Sequence, residues 1–255
     1  MKRLLVAGFV VLVALAGTVS AQQGVITQVS TIDALMTGIY DGETTLAQLK
    51  QKGDFGSGTF DALNGEMILL EGQFYRATAG GIVERPGLNT KTPFAAVTFF
   101  RTDRTAQLAK GLDFQGFSKL TDKEIPTLNI FYAIKITGTF EMVKVRSVPA
   151  QQKPYKPLSD VVKAQPVFDL KKVKGTIVGF RCPPFVKGVN VPGYHLHFIT
   201  ADRMAGGHVL DFTVERATTE IGDTREFHLI LPSDKAFYKA DLMTDREKEV
   251  KAVEK

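Results

Sequence analysis

The sequence predicts an α+β fold with two domains, each built around a β-sheet. Most segments are rich in β-branched and aromatic residues and end at Gly, Pro, Asn or Asp, which is typical of strands. Helical spacing of apolar residues is limited to short stretches. A polar stretch with two prolines, AQQKPYKP at residues 150–157, is the best candidate for a linker. We therefore expect an N-terminal domain over residues 22–152, with a mixed sheet and helices, and a C-terminal domain over residues 153–255, with a mostly antiparallel and partly barrel-like sheet.

Residues 1–21 have the pattern of a secretory signal peptide. Lys2 and Arg3 precede an apolar run at residues 4–16, and small residues follow it up to Ala21. Because the run is shorter than the roughly 20 residues that span a bilayer, we expect cleavage near Ala21 rather than a membrane anchor. Later stretches of the sequence are too short or too polar to cross a membrane. We therefore expect a secreted or periplasmic protein without a membrane partner.

Charge and cysteine usage argue against a nucleic-acid-binding protein and against a fold stabilised by disulfides. The formal net charge of the 255 residues is +5, and loss of Lys2 and Arg3 with the signal peptide would leave +3. Basic residues alternate with acidic ones and form no stripe with interleaved aromatics, so we expect no nucleic-acid partner. Cys182 is the single cysteine, which excludes an intramolecular disulfide. It follows an arginine and precedes two prolines, without a nucleophile signature, and we expect an inert thiol.

The expected elements of the N-terminal domain follow from local patterns. Apolar residues at helical spacing within residues 30–54 predict two short helices, and the candidate N-caps are Ser30, Thr31, Thr44 and Thr45. Asn64-Gly65 indicates a hairpin turn, so a strand should begin at Glu66. The remaining predictions are a strand at residues 92–100, a helical connection at residues 105–126, and two strands within residues 129–149 that meet at Thr137-Gly138.

The C-terminal domain is predicted to be nearly all strand. After a short helix at residues 159–163, strands are expected at residues 173–183, 193–200, 206–221 and 224–232. The charged segment at residues 242–255, LMTDREKEVKAVEK, predicts a frayed surface tail when it is considered alone.

Three of the four histidines lie within fourteen residues of this domain, around a glycine-rich turn. His195 and His197 are two positions apart on a predicted strand, so their side chains project from the same face. A four-residue loop at residues 201–204 would place His208 directly opposite His197. Three converging neutral imidazoles are the minimal protein set of a catalytic zinc site, although the same spacing also suits iron, manganese or copper. The fourth, His228, is alone and is expected to be exposed.

The histidine segment GYHLHFITADRMAGGHVLDF closely resembles the metal site of the α-acetolactate decarboxylase family. The resemblance continues in the same order through STIDALMTGIYDGETTLAQLKQKGDFGSGTFDALNGEMI, KTPFA, NIFYAIKITGTFEMVKVRSVPAQQKPY and KGTIVGF, and it covers about residues 30–254. It implies a homodimeric carbon–carbon lyase that decarboxylates (S)-2-acetolactate to (R)-acetoin and CO2. It also implies a zinc ion bound by His195, His197 and His208, and no organic cofactor.

The same resemblance points to residues far from the histidines. Glu66, Arg146 and Glu254 match the catalytic glutamates and the catalytic arginine of the family. Thr59 and Leu63 match residues that line its pocket. The tail is weakly anchored in the comparison, so Glu249 and Glu247 are alternatives to Glu254. If Glu254 is the match, the tail folds back over the site.

The chemistry of the reaction agrees with this residue set. Loss of CO2 from a 2-hydroxy-3-keto acid leaves an enediolate, whose charge a zinc ion can stabilise as a Lewis acid. Two other functions stay open: an exported cupin-like metalloenzyme and a non-catalytic metal-binding barrel. The distant set Glu66, Arg146 and Glu254 separates them from a decarboxylase. Within it, the guanidinium of Arg146 suits an acidic substrate and works against metal storage.

Overall fold

The computed structural model describes residues 24–254, so the predicted signal peptide at residues 1–21 lies outside the described residues. In chain order the elements are β1 (Val25–Val29), α1 (Ile32–Met36), β2 (Thr44–Thr45), α2 (Leu46–Lys50), β3 (Phe55–Thr59), β4 (Glu66–Leu70), β5 (Gln73–Ala77), β6 (Val83–Glu84), β7 (Lys91–Thr92), β8 (Ala95–Thr98), β9 (Arg104–Leu108), α3 (Phe114–Glu124), β10 (Phe131–Arg146), α4 (Leu158–Val161), β11 (Val167–Cys182), β12 (Gly193–Thr200), β13 (Gly206–Thr224), β14 (Glu226–Ile230), α5 (Lys235–Lys239) and α6 (Glu247–Val253). Within this part of the chain, the helices are all too short or too polar to cross a membrane.

A seven-stranded mixed sheet forms the first half of the molecule, in the order β14-β1-β8-β3-β4-β5-β6. Its strands are antiparallel except for the pair β1 and β14, which is parallel. The two predicted short helices are present as α1 and α2. The Thr31 hydroxyl accepts a hydrogen bond from the amide of Ala34, and Thr45 forms a capping box with Gln48.

A five-stranded antiparallel sheet forms the second half, in the order β10-β11-β12-β13-β9. Its long strands β10 and β13 also pair with each other, so β10, β11, β12 and β13 close into a ring. These observations confirm the predicted fold class, an α+β protein with a mixed N-terminal sheet and a partly barrel-like C-terminal sheet.

Three local predictions were wrong in detail. Residues 129–149 hold one continuous strand, β10, and not two strands that meet at Gly138. A Cβ atom on Gly138 would lie 2.5 Å from the Cα atom of Ala217, so this glycine permits close strand packing and makes no turn. Residues 105–126 are not all helical, because β9 pairs with β13 before α3 begins. The single strand predicted at residues 92–100 is instead two shorter strands, β7 and β8.

The connection before β4 also differs from a tight hairpin. Asn64-Gly65 ends a six-residue link between β3 and β4 that contains a 3-10 helix at Asp61–Leu63. Glu66 nevertheless begins β4, as predicted, and lies opposite Thr59 of β3.

The sheets do not follow the expected division of the chain at residues 152–153. β10 precedes this point but belongs to the five-stranded sheet, and β14 follows it but belongs to the seven-stranded sheet. A boundary there would separate strands that share one sheet. Sheet membership alone does not define a domain boundary, so the division into residues 22–152 and 153–255 stays a prediction.

Apolar clusters join the two sheets and the helices. One cluster lies between the sheets and includes Ile26, Ile68 and Phe180. The thiol of Cys182 is buried there, and burial raises its pKa to about 12, so it is protonated and unreactive at neutral pH. Another cluster packs α1, α4 and α6 together beside the ends of β4 and β10, and its members include Ile32, Leu35, Leu158, Val161, Val250 and Val253.

Candidate metal centre

The hairpin of β12 and β13 brings the three histidines together. His197 and His208 are directly opposite each other in the strand register, as the spacing predicts, and His195 is on the same face two residues earlier. The loop at residues 201–204 is closed by Thr200, whose hydroxyl donates a hydrogen bond to Asp202 at 2.6 Å. Because both strands are paired on their outer sides, to β11 and β10, the register of the ring fixes the histidine positions.

The three imidazoles have the geometry and orientation of metal ligands. Each offers one nitrogen, and these nitrogens lie within 4.8 Å of one another. His197 donates from Nδ1 to the Met67 carbonyl oxygen at 2.7 Å, which leaves Nε2 unprotonated and 3.2 Å from Nε2 of His195. Among the described residues, neither ring nitrogen of His208 has a hydrogen-bond partner, although the side chain is buried. Buried nitrogens without partners fit a site that binds a metal ion.

Burial also keeps these histidines uncharged. Loss of solvent, together with the positive charge of Arg146, lowers the pKa of His195 to about 3. Burial likewise holds the pKa values of His197 and His208 well below the ordinary value of 6.5. Neutral imidazole is the form that binds a metal ion, so the donor set fits zinc at neutral pH.

A carboxylate and a guanidinium from other strands complete one side of the centre. Glu66 is the first residue of β4, and its Oε2 lies 3.6 Å from Nε2 of His197. Arg146 is the last residue of β10, directly opposite His208, and it donates from Nη1 to Oε1 of Glu66 at 3.0 Å. Next to His208 on β13, Gly207 permits the close approach of β13 and β10, because a Cβ atom there would lie 2.4 Å from the carbonyl oxygen of Arg146.

The C-terminal tail supplies a second carboxylate. α6 packs through Val250 and Val253, and Arg146 donates from Nη2 to the carbonyl oxygen of Val253 at 3.3 Å. Oε2 of Glu254 then lies 3.7 Å from Nε2 of both His195 and His208. Within residues 24–254 this oxygen has no hydrogen-bond partner.

The two alternative tail glutamates lie elsewhere. Glu247 forms ion pairs with Lys187 and Lys251, and Glu249 is exposed. Of the three tail glutamates weighed from the sequence, all within the described residues, Glu254 is therefore the one that reaches the histidines.

Glu66 and Glu254 have unusual acidities. Burial raises the pKa of each carboxyl group to about 7, and the nearby Arg146 limits the increase. Either group can therefore hold or release a proton near neutral pH, which is the property required for acid–base catalysis.

Apolar side chains line a partly open cavity of about 30 Å³ beside this centre, large enough for one or two water molecules. Thr59 and Leu63 both line it, and the Thr59 hydroxyl donates to the carbonyl oxygen of Gly65 at 2.8 Å. The sequence did not identify the apolar wall, which consists of Ile32, Leu35, Phe94, Val148 and Leu158. Helical spacing predicted that Ile32 and Leu35 are buried, but it carries no signal for the cavity that they face.

Comparisons with known proteins agree with the geometry of the site. Residues 26–244 match the family model described as alpha-acetolactate decarboxylase. Among curated relatives, the alpha-acetolactate decarboxylase of Methanosarcina mazei is 48% identical over 231 residues, covering 91% of this chain and 80% of that protein. The one from Bacillus licheniformis is 42% identical, covering 84% of this chain and 85% of that protein. The family match ends before α6, so it does not include Glu254.

A solved structure extends the similarity to three dimensions. The crystal structure of alpha-acetolactate decarboxylase from Bacillus subtilis strain 168 superposes with a TM-score of 0.89 at 40% sequence identity. The superposition covers 90% of this chain and 99% of that one. The similarity therefore extends over most of the fold.

Proposed function

The chain belongs to the alpha-acetolactate decarboxylase family, a family of carboxy-lyases, and from this premise we propose that it converts (S)-2-acetolactate to (R)-acetoin and CO2 with the aid of zinc. The observation that carries the proposal is the convergence of three neutral histidines, two buried carboxyl groups and one guanidinium, each within 3.7 Å of the next along a chain of contacts. Each of these groups has a task in a decarboxylation that ends with a proton transfer.

His195, His197 and His208 would hold the metal ion. Their nitrogens are close together, unprotonated and, in His208, without protein partners. When bound, zinc supplies Lewis-acid stabilisation of negative charge on the substrate oxygens.

Arg146 is suited to bind the anionic part of the substrate. Its guanidinium is buried, and within the described residues its Nε has no hydrogen-bond partner, so a donor remains for a substrate carboxylate or for a developing negative charge. Its bond to Glu66 sets the orientation of both side chains. The apolar wall formed by Leu35, Phe94 and Leu158 limits access of water to the bound substrate.

Glu66 and Glu254 are the candidates for proton delivery. Loss of CO2 leaves a carbon atom that must take up a proton on one face to give one enantiomer of acetoin. Glu254 approaches the histidines from the tail and Glu66 from β4, so the two carboxyl groups flank the centre from different elements. Burial raises the pKa of both groups, so each holds a proton more readily than an exposed carboxyl group does.

The setting of the reaction is also part of the proposal. The basic start, apolar run and small residues of positions 1–21 support export to the periplasm or the medium. The resemblance described above supports a homodimer, with a small-molecule substrate and without a nucleic-acid or membrane partner. A non-catalytic metal-binding barrel is less well supported, because the buried charge of Arg146 opposes cation binding.

The test is to incubate the purified mature protein with racemic 2-acetolactate and to measure acetoin and CO2. We expect acetoin formation to stop after treatment with a chelator and to return on addition of zinc, and chiral chromatography should identify (R)-acetoin. His228→Ala is the matched control, because this histidine is exposed on β14 and should not affect metal binding. Absence of metal-dependent acetoin formation would show that the proposal is wrong.

A further inference from the structure

The beginning of α6 is tied to the body of the protein by Lys187. Its Nζ lies 2.8 Å from Oδ2 of Asp245 and 2.9 Å from Oε2 of Glu247. Asp245 precedes α6, and Glu247 is its first residue. One side chain thus holds the start of α6 at two points.

The backbone beside Lys187 is a fixed anchor for this contact. The carbonyl oxygen of Gly188 accepts from the amide of Asp33, and that of Val189 accepts from the amide of Ile32 at 3.0 Å. The side chain of Gln28, on β1, donates to the same Val189 oxygen at 2.7 Å. Lys187 is therefore attached to the first sheet and to α1, while its partners belong to the tail.

Few other contacts determine the position of α6. The helix has seven residues, and its buried side chains are Val250 and Val253. From Glu247 to Glu254 the helical rise is about 10 Å. A displacement of the start of α6 would therefore be transmitted to the carboxyl group at its end.

α6 also separates two spaces. A groove of about 520 Å³ lies between the tail, the loop that contains Lys187 and the start of β12, and Glu254 lines both this groove and the cavity at the histidines. The cavity at the histidines is partly open, so a small substrate that reaches it from this groove passes Glu254.

We propose that Lys187 is a positioning residue: its ion pairs with Asp245 and Glu247 hold the start of α6 in place and so set Glu254 against the histidines. This inference rests on the proposed decarboxylase function. All three side chains of the contact are partly exposed, so each ion pair contributes modestly and is sensitive to salt.

The test compares the zinc-loaded wild type with Lys187→Ala, Lys187→Arg and the control Lys163→Ala, which removes an exposed lysine ion pair with Asp160 on α4. In Lys187→Ala we expect faster hydrogen exchange at residues 247–254 and a decrease in kcat of about three- to tenfold, the range that two exposed ion pairs can produce. KM and zinc content should change little, because the metal ligands and the guanidinium stay in place. Lys187→Arg should recover most of the lost kcat.

Ionic strength gives a second measurement on the same proteins. Salt screens exposed ion pairs, so wild-type kcat should fall towards that of Lys187→Ala as salt is added, while the variant changes less. The pair of substitutions Asp245→Asn and Glu247→Gln removes the contact from the other side and should reproduce the effect of Lys187→Ala.

The outcomes separate the two proposals. Unchanged exchange in α6, unchanged kcat, or an equal loss in Lys163→Ala would overturn the positioning role of Lys187. A wild type that forms no acetoin with zinc would overturn the proposed function, and the exchange measurement would still report whether Lys187 holds α6.

Discussion

The histidine hairpin and the C-terminal tail contribute to the same centre but are held in place by different means. The hairpin of β12 and β13 is hydrogen-bonded on both sides within a closed ring of strands. The tail is held by two valines, by one hydrogen bond from Arg146 and by the ion pairs of Lys187. The difference indicates a division of tasks: the sheet fixes the positions of the histidines, and the tail brings a carboxyl group to them from outside the ring.

The largest effect is expected from a break in the hairpin at His197. His197→Ala removes the central metal ligand and also the hydrogen bond to Met67. We expect loss of stoichiometric zinc and a decrease in kcat/KM well beyond the 100-fold that changes around metal ligands typically cause. Metal analysis by mass spectrometry and the acetoin assay measure the two effects. Normal zinc content in this variant would mean that the histidines are not the metal site.

The hairpin is also the part of the site that sequence reasoning predicted best. Strand alternation puts His195 and His197 on one face, and the loop length sets His208 opposite His197, so two local rules were sufficient. Both rules concern residues close together in the chain. The same reasoning placed β11, β12 and β13, but it predicted a helical connection where β9 lies and two strands where β10 lies. It also could not assign β14 to the other sheet, because pairing with β1 depends on the tertiary structure.

The tail illustrates what such rules cannot predict. Its charged residues are typical of a solvated segment, and Val250 and Val253 are the apolar residues of α6 that become buried. Nothing local distinguishes Glu254 from Glu249. Glu66 and Arg146 were likewise identified through family resemblance, since each is distant in sequence from the histidines and reaches them through sheet packing.

Arg146 connects the two regions, and its substitution should separate metal binding from turnover. Arg146→Ala removes the bonds to Glu66 and to the Val253 carbonyl oxygen but leaves all three histidines. We expect normal zinc content and a decrease in kcat of about 100- to 1000-fold, the usual cost of losing a donor that stabilises developing charge. Steady-state kinetics and metal analysis test this together. If the variant stayed fully active, the role assigned to Arg146 would be wrong.

A smaller loss is expected when the tail carboxyl group is neutralised. Glu254→Gln preserves the size of the side chain but removes its ability to transfer a proton. We expect kcat to fall about 100-fold, the lower end of the range for an acid–base group, because Glu66 remains as a second buried carboxyl group beside the histidines. The matched control is Glu249→Gln, in the same helix and exposed, which should keep wild-type kcat. An equal loss in both variants would show that the effect comes from the helix and not from the carboxyl group at the site.

The smallest effect is expected on stability, from the loss of an ion pair near the C-terminal end of β13. Arg104 of β9 binds Asp223 through both carboxylate oxygens, and this hydrogen bonding holds the pKa of Asp223 below its ordinary value of 3.8. A carboxyl group whose pKa is lowered in the folded state contributes stability above its ordinary pKa, and that contribution is lost as the pH falls through the folded value. In the metal-free protein, Arg104→Gln should therefore lower the free energy of unfolding by about 1 kcal/mol at pH 7, and the difference from wild type should shrink below pH 3.8. Urea denaturation at several pH values measures this, with Lys110→Gln as the control because its ion pair with Glu141 is long and exposed. If the difference in free energy of unfolding between wild type and Arg104→Gln stayed constant down to acidic pH, Arg104 would stabilise the sheet by packing. The ring of strands that positions the histidines would then not depend on this charge pair.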